Sequence, residues 1–453
     1  MTYSFGLFIA FGVLSLLLFA GVLLRRAFPI FQKWMIPACI LGGILGFIFI
    51  NSGLTSLETS SFEEITYHVF NLSYMSLVLT PFKKGGGKNK SIIRGGLWMA
   101  LISSLILSVQ ALTGALSYGL TNMIGLTKQA PVWLGFLATH GFTQGTGQAL
   151  AVGNSWEAFG IQNAPNVGLF YASVGFLMAL FIGVPYANWA KKHNKTVIPE
   201  KSVKTGILKG LYSSDNQISA GMQTTHSDNI DTLSYHLAIL GICYFLTYFL
   251  AFFLSNHVLA SSGALKVLPF SLFFLPGMFV CLFVKQVLKL LKLDHTIDPG
   301  IQSRITGFCV DYLMVASMTS ISFSLLLPYL SGILVTVLAI GAVTFFLIRF
   351  IAEKLPELSV ERFLCQFGCC MGNTASGLLL LRQVDPDYET PCAMELVIFN
   401  IIFVLTGIIY LVAPAAPKFG ITTWSLILIG NGVIMAVLLW LFGFLKSEQK
   451  KEV

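Results

Sequence analysis

Long apolar runs separated by short polar connections dominate this chain. A helix that crosses the hydrocarbon layer of a membrane needs ~20 mostly apolar residues, and runs of this kind recur along nearly the whole sequence. The pattern predicts eleven membrane-spanning helices. They lie at 3–24, 35–51, 63–82, 93–122, 166–190, 233–257, 267–292, 300–328, 330–352, 392–413 and 421–445.

Two shorter segments interrupt the apolar pattern at corresponding places in the two halves of the chain. The first, within 131–155, reads His140-Gly-Phe-Thr-Gln-Gly-Thr-Gly-Gln148, and the second, within 362–382, reads Gly368-Cys-Cys-Met-Gly-Asn-Thr-Ala-Ser-Gly377. Non-helical backbone at membrane depth must be buried in protein or line a wet cavity. Each segment is therefore predicted to be a re-entrant hairpin. The alternative is a glycine-rich kink in an ordinary helix.

The order of these segments predicts an all-α polytopic membrane protein made of two inverted-topology repeats. Each repeat has five spans and one hairpin, and the odd number of spans inserts the second repeat upside down. The predicted N-terminal repeat covers 1–190 and the C-terminal repeat covers 233–420, with a polar cytoplasmic linker at 191–232. An extra helix and a cytoplasmic tail occupy 421–453. Paired interrupted segments of this kind indicate the binding site of a secondary transporter.

Composition and charge support a membrane protein and exclude other classes. Hydrophobic residues make up 55% of the chain and charged residues only 11%, against ~25% charged residues in an ordinary soluble domain. Disorder, a secreted disulfide scaffold and an ordinary cytosolic enzyme are therefore excluded. The formal net charge of +8 lies in short connections between apolar runs. Because it forms no basic patch with interleaved aromatics, it argues against nucleic-acid binding.

The positions of the basic residues predict the orientation in the membrane. Arg25 and Arg26 follow the first apolar run instead of preceding it, so this run is not a cleaved signal peptide and the N-terminus is predicted outside. Counting spans from there places the C-terminus in the cytoplasm. It also places every basic residue except Lys128, Lys266 and Lys418 in the cytoplasm, as the positive-inside rule requires.

The eight cysteines carry no recognisable metal or redox motif. They lie within or beside apolar segments, with no CxxC or Cys/His zinc spacing, so buried packing is their predicted role. The adjacent Cys369 and Cys370 are interpreted in the same way. No Ser/His/Asp set, His-rich cluster or metal spacing supports a membrane-embedded enzyme. The sequence therefore predicts a protein that is not an enzyme and has no cofactor.

The chain resembles the bacterial sodium/glutamate symporter family over roughly residues 1–415. The order of several short matches along both halves carries the resemblance. The matching residues are Ile36-Pro37, Gly42-Gly43, Gly145-Thr146-Gly147, Gly175, Gly183, Pro185, Lys192-His193, Gly368, Gly372, Thr374, Pro391 and Met394. The resemblance implies the family's fold, sodium-coupled amino-acid transport, a bacterial inner-membrane location and a homodimer.

The chain departs from the family pattern at both hairpins. Phe142-Thr143-Gln144 stands where the family has Gly-Gly-His, and Asn373-Thr374-Ala375-Ser376 stands where it has Ala-Thr-Pro-Thr. An acidic residue of the family's last span has no counterpart near Ile408, and the span at 421–445 is additional. The fold is therefore expected to carry over, whereas the identity of the substrate stays open.

The hairpin tips are predicted to meet near the membrane midplane and to bind a carboxylate. Helix N-termini at the tips would direct amide N–H groups at the anion, and glycine would allow close approach of the backbone. Each polar side chain has an alternative role, which is to cap its own hairpin. The predicted substrate-binding residues are Thr143, Gln144, Gly145, Thr146, Gly147, Gly372, Asn373, Thr374 and Ser376.

Two acidic residues within predicted spans are candidate ligands of the coupling ion. Asp311 lies inside the span 300–328, and Glu395 lies near the start of the span 392–413. An acid within a membrane span is costly to bury, so it is a candidate functional residue. Sodium is a hard cation and prefers oxygen ligands. Either residue is alternatively a proton relay, and Glu395 alternatively reaches water at the cytoplasmic end.

These features predict a cation-coupled symporter for L-glutamate or a related small carboxylate, working by alternating access. Moving one negative charge into a negative interior costs ~2.3 kcal/mol per 100 mV, so accumulation requires a co-transported cation, with sodium as the expected ion. A proton-coupled or citrate-type carboxylate transporter is the alternative within transport. A membrane receptor or scaffold without transport is the alternative from another class.

Overall fold

The computed structural model describes residues 6–53, 55, 57–81, 90–127, 130–198, 211, 214, 217, 219–261, 263–386 and 389–445. All regular secondary structure in these residues is helical. Several sequence predictions fall outside the described residues. They concern the lysines at 83, 84, 88 and 128, most of the linker between 199 and 218, and the tail after residue 445.

Eight α-helices lie before the linker in the part of the chain that the structure describes. They are α1 (Gly6–Ala27), α2 (Pro29–Lys33), α3 (Ala38–Asn51), α4 (Thr59–Leu79), α5 (Lys90–Met123), α6 (Trp133–Gln144), α7 (Thr146–Ala158) and α8 (Ala164–Lys192). The predicted spans and the first interrupted segment each coincide with a helix or a helix pair in this half.

Twelve α-helices follow the linker in the described residues. They are α9 (Thr232–Phe253), α10 (Leu268–Ser271), α11 (Phe274–Leu290), α12 (Pro299–Thr319), α13 (Phe323–Leu326), α14 (Leu330–Ala352), α15 (Ser359–Cys370), α16 (Thr374–Leu381), α17 (Cys392–Thr406), α18 (Ile409–Val412), α19 (Ala416–Phe419) and α20 (Ile421–Leu441). A π-helical turn spans Leu254–Val258, and 3₁₀ turns span Gly263–Val267, Asp294–Thr296, Leu327–Tyr329 and Ala413–Ala415.

Six helical stretches in the described residues are long and apolar enough to cross a membrane, and bent helix pairs raise this number to eight. The six stretches are Gly6–Ala27, Lys90–Met123, Ala164–Lys192, Thr232–Val258, Phe323–Ala352 and Ile421–Leu441. The two bent pairs are Leu265–Ser271 with Phe274–Leu290, bent by 53°, and Cys392–Thr406 with Ile409–Phe419, bent by 54°. The chain is therefore a multi-pass membrane protein.

The predicted count of eleven spans exceeds this number because three predicted spans fail the test of length or apolar content. Helix α3 has only 14 residues, fewer than the ~20 that cross a bilayer without help. Helices α4 and α12 are long enough but carry many polar side chains. These side chains meet across the α4–α12 contact, where Gln302 Nε2 donates to Ser76 Oγ at 2.8 Å. Polar residues at this contact are satisfied inside the protein, whereas others on the same helices, such as Glu64 and Asp311, are exposed.

The described chain divides into two compact units, and each unit draws elements from both halves of the sequence. Unit 1 consists of Met1–Ala27, Pro37–Gly85 and Gly210–Ile321, and unit 2 consists of Phe28–Ile36, Gly86–Lys209 and Ser322–Val453. Both interrupted segments belong to unit 2. The two compact units do not coincide with the two predicted sequence repeats, because each unit combines segments from both halves of the chain. The boundaries of the repeats and their inverted relation therefore stay predictions.

Helix α5 forms the centre of unit 2, and its small residues allow close neighbours. A Cβ at Gly114 would clash with the carbonyl oxygen of Gly135 on α6, and a Cβ at Gly135 would clash with the backbone at Gly114. The α5 and α6 backbones are therefore in direct contact, which small residues permit at membrane helix interfaces. On another side of α5, Asn431 of α20 donates to Ser104 O at 3.0 Å and to Ser108 Oγ at 2.9 Å.

We expect Gly114→Ala to destabilise the protein because the new methyl group forces α5 and α6 apart. Overpacking of this kind costs typically about 1–3 kcal/mol, and thermal unfolding of the purified protein in detergent measures the loss. Gly119→Ala is the matched control, since Gly119 lies on the same helix with no atom within 4 Å of its Cβ position. Equal melting temperatures for the two variants would contradict the close contact of α5 and α6.

Candidate functional site

The first interrupted segment is a pair of helices, α6 and α7, that folds back at Gly145. Gly145 has φ 81° and ψ −173°, a conformation that glycine adopts without the strain of a side chain. Trp133 at the start of α6 and Trp156 near the end of α7 pack edge to face, with ring centroids 5.4 Å apart. The two arms therefore lie side by side, with their ends brought together away from the tip.

The second interrupted segment is the helix pair α15 and α16, which folds back between Cys370 and Thr374. A Cβ at Gly368 on α15 would lie 2.7 Å from the Gly377 Cα on α16. The backbones of the two arms therefore touch, and glycine at these two positions permits that approach. These two glycines are the first and last residues of the polar stretch identified in the sequence.

The two tips meet inside unit 2. A Cβ at Gly145 would lie 3.4 Å from the Gly372 carbonyl oxygen and 3.8 Å from Asn373 Cβ. Four helix ends therefore converge: the C-terminal ends of α6 and α15 and the N-terminal ends of α7 and α16. Such a point offers partial positive charge from N–H groups and partial negative charge from carbonyls. The opposite entry of the two hairpins into the membrane stays a prediction.

The two helix starts at this point differ in their capping. Helix α7 begins after Gly145 without a side-chain cap, so the first N–H groups of α7, which no helix satisfies internally, point towards the tips. Helix α16 begins with a capping box. Ser376 N donates to Asn373 Oδ1 at 3.0 Å, and Asn373 N donates to Ser376 Oγ at 3.3 Å. The start of α7 is therefore the better place for an external acceptor.

The predicted substrate-binding side chains take different roles at the tips. Asn373 and Ser376 cap α16, which was the alternative role for polar residues there. Thr374 Oγ1 donates to Asn400 Oδ1 at 3.1 Å. Thr146 is buried beside the equally buried Gly147. The structure thus brings all nine predicted residues to two adjoining tips, while their contact with substrate stays a prediction.

Of the three residues that depart from the family pattern at the first tip, Phe142 is fully buried, whereas Thr143 and Gln144 are half-buried and hydrogen-bonded within the protein. Thr143 Oγ1 donates to Gln110 Oε1 at 2.6 Å. Gln144 Oε1 lies 2.8 Å from His140 Nδ1. The His140 ring is buried and packs edge to face on Trp156, with ring centroids 6.0 Å apart. His140 therefore orients Gln144 from below the tip.

Glu395 lies in a buried ion pair. Arg362 Nη2 donates to Glu395 Oε1 at 2.6 Å and Arg362 Nε donates to Glu395 Oε2 at 2.8 Å. Glu395 is fully buried, and a Cβ at Gly95 of α5 would clash with its carboxyl group. Both oxygens of the predicted cation ligand thus already bind a guanidinium, which favours a role in joining α15 to α17. The sequence missed this pairing because the partners are 33 residues apart.

Asp311 lies on α12 in unit 1, whereas every predicted tip residue belongs to unit 2. Its side chain is exposed on the surface of the chain, within hydrogen-bonding reach of the Cys39 thiol. Among the described residues, no group of three or more His, Cys, Asp or Glu side chains is arranged to hold a metal ion. Sodium sites made of carbonyl and hydroxyl oxygens do not require such a group.

Sequence analysis missed Gln110, a fully buried residue of α5 that contacts both hairpins. Its side chain bonds to Thr139 and Thr143 of the first hairpin and to the Cys370 carbonyl of the second. The one signal in the sequence was an amide side chain in the middle of a long apolar run. That signal gives no indication of the partners.

Comparison with known proteins adds to this geometry. A family model described as sodium/glutamate symporter matches residues 3–353, a range that ends before the second hairpin. Two proteins named sodium/glutamate symporter, from Escherichia coli (strain K12) and Shigella flexneri, are each 25% identical to the chain over 190 residues. This similarity covers 40% of the chain and 44% of each relative, so it spans less than half the length of these relatives.

Proposed function

Because this chain belongs to the sodium/glutamate symporter family, we propose that it is a secondary active transporter that couples uptake of L-glutamate or a related small carboxylate to sodium. Membership of this family makes the protein a transporter and not an enzyme. The observation that carries the substrate proposal is the meeting of the two hairpin tips beside the uncapped start of α7.

The start of α7 is the proposed binding point for a substrate carboxylate. The N–H groups of its first turn carry partial positive charge and lack partners within the helix. Thr146 and Gly147 are buried, so water has little access to these amides. An anion bound there would accept the hydrogen bonds that the N–H groups otherwise lack. Gly145, Gly372 and Thr374 complete the proposed surface at the junction of the tips. Thr143 and Gln144 shape its first half, and Asn373 and Ser376 keep its second half in place.

We propose that the carbonyl groups at the C-terminal ends of α6 and α15 attract the cation. Broken helices in transporters use their N-terminal ends for anionic substrates and their C-terminal ends for coupling ions. Asp311 remains a proposed ligand of sodium or a proton in unit 1. Glu395 has the same proposed role only if the cation displaces Arg362. Of the two residues, Asp311 is therefore the better candidate for the cation ligand.

Coupling supplies the free energy for accumulation. Moving a substrate of net charge −1 into a negative interior costs ~2.3 kcal/mol of electrical free energy per 100 mV. One sodium ion cancels this electrical cost, and a second makes the membrane potential drive uptake. We propose alternating access, with the two inverted repeats providing outward-facing and inward-facing forms. The proposed setting is a bacterial inner membrane, with the N-terminus outside, the C-terminus in the cytoplasm and a homodimeric assembly.

Uptake of labelled L-glutamate into proteoliposomes tests the proposal. With sodium outside and none inside, we expect accumulation above the equilibrium level, increased by an inside-negative potential and abolished by a sodium ionophore. Empty liposomes in the same gradients are the control. Uptake driven by a pH gradient and indifferent to sodium would favour the proton-coupled alternative. No uptake of glutamate or citrate under any gradient would contradict transport and favour a receptor or scaffold.

A further inference from the structure

Gln110 is hydrogen-bonded to both hairpins and to α14. Its Nε2 donates to the Cys370 carbonyl at 2.9 Å and to Thr344 Oγ1 at 3.0 Å. Its Oε1 accepts from Thr143 Oγ1 at 2.6 Å and from Thr139 Oγ1 at 3.2 Å. An amide has two N–H donors and an oxygen with two lone pairs, so four bonds are the most it can make. The single O–H of Thr139 is shared between Gln110 Oε1 and Leu107 O at 3.0 Å.

These partners fix the orientation of the amide. If the group were flipped, its oxygen would face the Cys370 carbonyl oxygen, and two acceptors would oppose each other. The donor therefore holds the end of α15, where Cys370 is the last helical residue. The acceptor holds the last turns of α6, where Thr143 lies two residues before Gly145. One side chain thus ties together the C-terminal ends of both first arms.

We propose that Gln110 is a positioning residue that sets the spacing between the hairpin tips and thereby the affinity for the anionic substrate. The proposal rests on the function proposed above, since it assigns that site a support outside the tips. Gln110 acts through Thr143 and Cys370 and does not itself touch the substrate.

The two hairpin hydroxyls that donate to Gln110 each have a second acceptor, which limits the cost in stability of losing the Gln110 amide. Thr139 Oγ1 has a second acceptor in Leu107 O at 3.0 Å, and Thr143 Oγ1 has one in Cys370 O at 3.3 Å. Neither of these two hydroxyls therefore loses its last partner when the amide is removed. The buried Thr344 Oγ1 does lose the donor that Gln110 supplies, which adds a cost in stability. The direct tie between α5 and the two tips is nevertheless lost.

The test compares Gln110→Met with a matched control, Thr344→Val. Methionine keeps the length of the side chain without its amide, whereas Thr344→Val removes one partner on α14 and leaves the tie between the hairpins. For Gln110→Met we expect KM for the transported carboxylate to rise about tenfold, the order produced by losing one or two net hydrogen bonds, with the maximal rate within about twofold. For Thr344→Val we expect KM within about twofold of the wild-type value.

A conservative variant separates bridging from a general need for a buried amide. Asparagine keeps the amide but is one methylene shorter, so it cannot reach Thr143 and Cys370 together. We expect Gln110→Asn to raise KM as methionine does. Wild-type KM for Gln110→Asn would overturn the bridging role, as would wild-type KM for Gln110→Met.

Hydrogen exchange gives a readout that does not depend on transport. In Gln110→Met we expect faster amide exchange at both tips together, over residues 139–147 and 368–373, with no such change in Thr344→Val. Unchanged exchange at either tip would overturn the proposal. If the wild-type protein fails to accumulate glutamate, the proposed function fails, and the exchange result still decides the role of Gln110.

Discussion

Gly145→Val is expected to abolish substrate uptake while leaving expression and membrane insertion normal. Gly145 has φ 81° and ψ −173°, a backbone conformation that side chains with a Cβ rarely adopt. The Cβ position itself has room, because the nearest atom is the Gly372 carbonyl oxygen at 3.4 Å. The larger valine side chain adds methyl groups at the junction of the tips. Uptake into proteoliposomes and surface labelling of the inserted protein measure the two properties.

Gly160→Val is the matched control for backbone strain. Gly160 also has a positive φ, of 90°, but no atom lies within 4 Å of its Cβ position, and it is exposed between α7 and α8. We expect this variant to retain most uptake despite a similar conformational penalty. Equal loss of uptake in both variants would attribute the effect to general strain, and normal uptake in Gly145→Val would contradict the tip assignment.

Glu395→Ala is expected to produce the largest loss of stability among single substitutions in unit 2. It leaves the Arg362 guanidinium buried without its partner, since the Arg362 side chain is only 11% exposed. Removing one member of a buried ion pair costs typically about 3–5 kcal/mol. Thermal unfolding in detergent, followed by loss of the monodisperse peak in size-exclusion chromatography, measures the effect.

The exposed pair Arg349–Glu353 supplies the control for Glu395→Ala. Its side chains are 35% and 55% exposed, and its N–O distance is 2.8 Å, but solvent-exposed pairs contribute only about 0–1 kcal/mol. Glu353→Ala should therefore unfold nearly as the wild-type protein does. The double variant Arg362→Met/Glu395→Leu should recover much of the lost stability.

The same substitutions distinguish an ion pair from a cation site at Glu395. If the carboxylate serves only Arg362, the residual uptake of the double variant keeps the sodium dependence of the wild-type protein. Loss of sodium dependence together with near-normal stability would contradict the assignment and restore Glu395 as a cation ligand. Sodium titration of initial uptake rates provides the comparison.

The interrupted segments could be located from the sequence because their signal is local. Glycine and polar residues within an apolar run, as around Gly145 and Gly372, cannot continue a lipid-exposed helix. The family resemblance, carried by an ordered set of short matches, is confirmed by the family match over residues 3–353. The positions of the helices could also be predicted, because a run of apolar residues is a local signal. Helices α4 and α12 are nevertheless more polar than a span exposed to lipid.

The contacts that organise the site could not be predicted, because they join residues far apart in the chain. Gln110 and Cys370 are separated by 260 positions, and no pattern around Gln110 indicates a partner. Glu395 was interpreted as a candidate ligand of the coupling ion, because Arg362 approaches it only after α15 and α17 have packed. At Asn373 the sequence allowed both substrate binding and capping, and the capping box depends on backbone geometry at α16.

The difference in capping between the two hairpins has a consequence for how such a protein can diversify. The second hairpin completes its helix start with its own Asn373 and Ser376 side chains, so changes there carry a folding penalty. The first hairpin leaves the start of α7 without a side-chain cap, and its residues Thr143 and Gln144 already differ from the family pattern. Both tips depart from the family pattern, but a substitution at Asn373 or Ser376 should lower the folding stability of α16, whereas a substitution at Thr143 or Gln144 should change ligand preference at a smaller cost in stability.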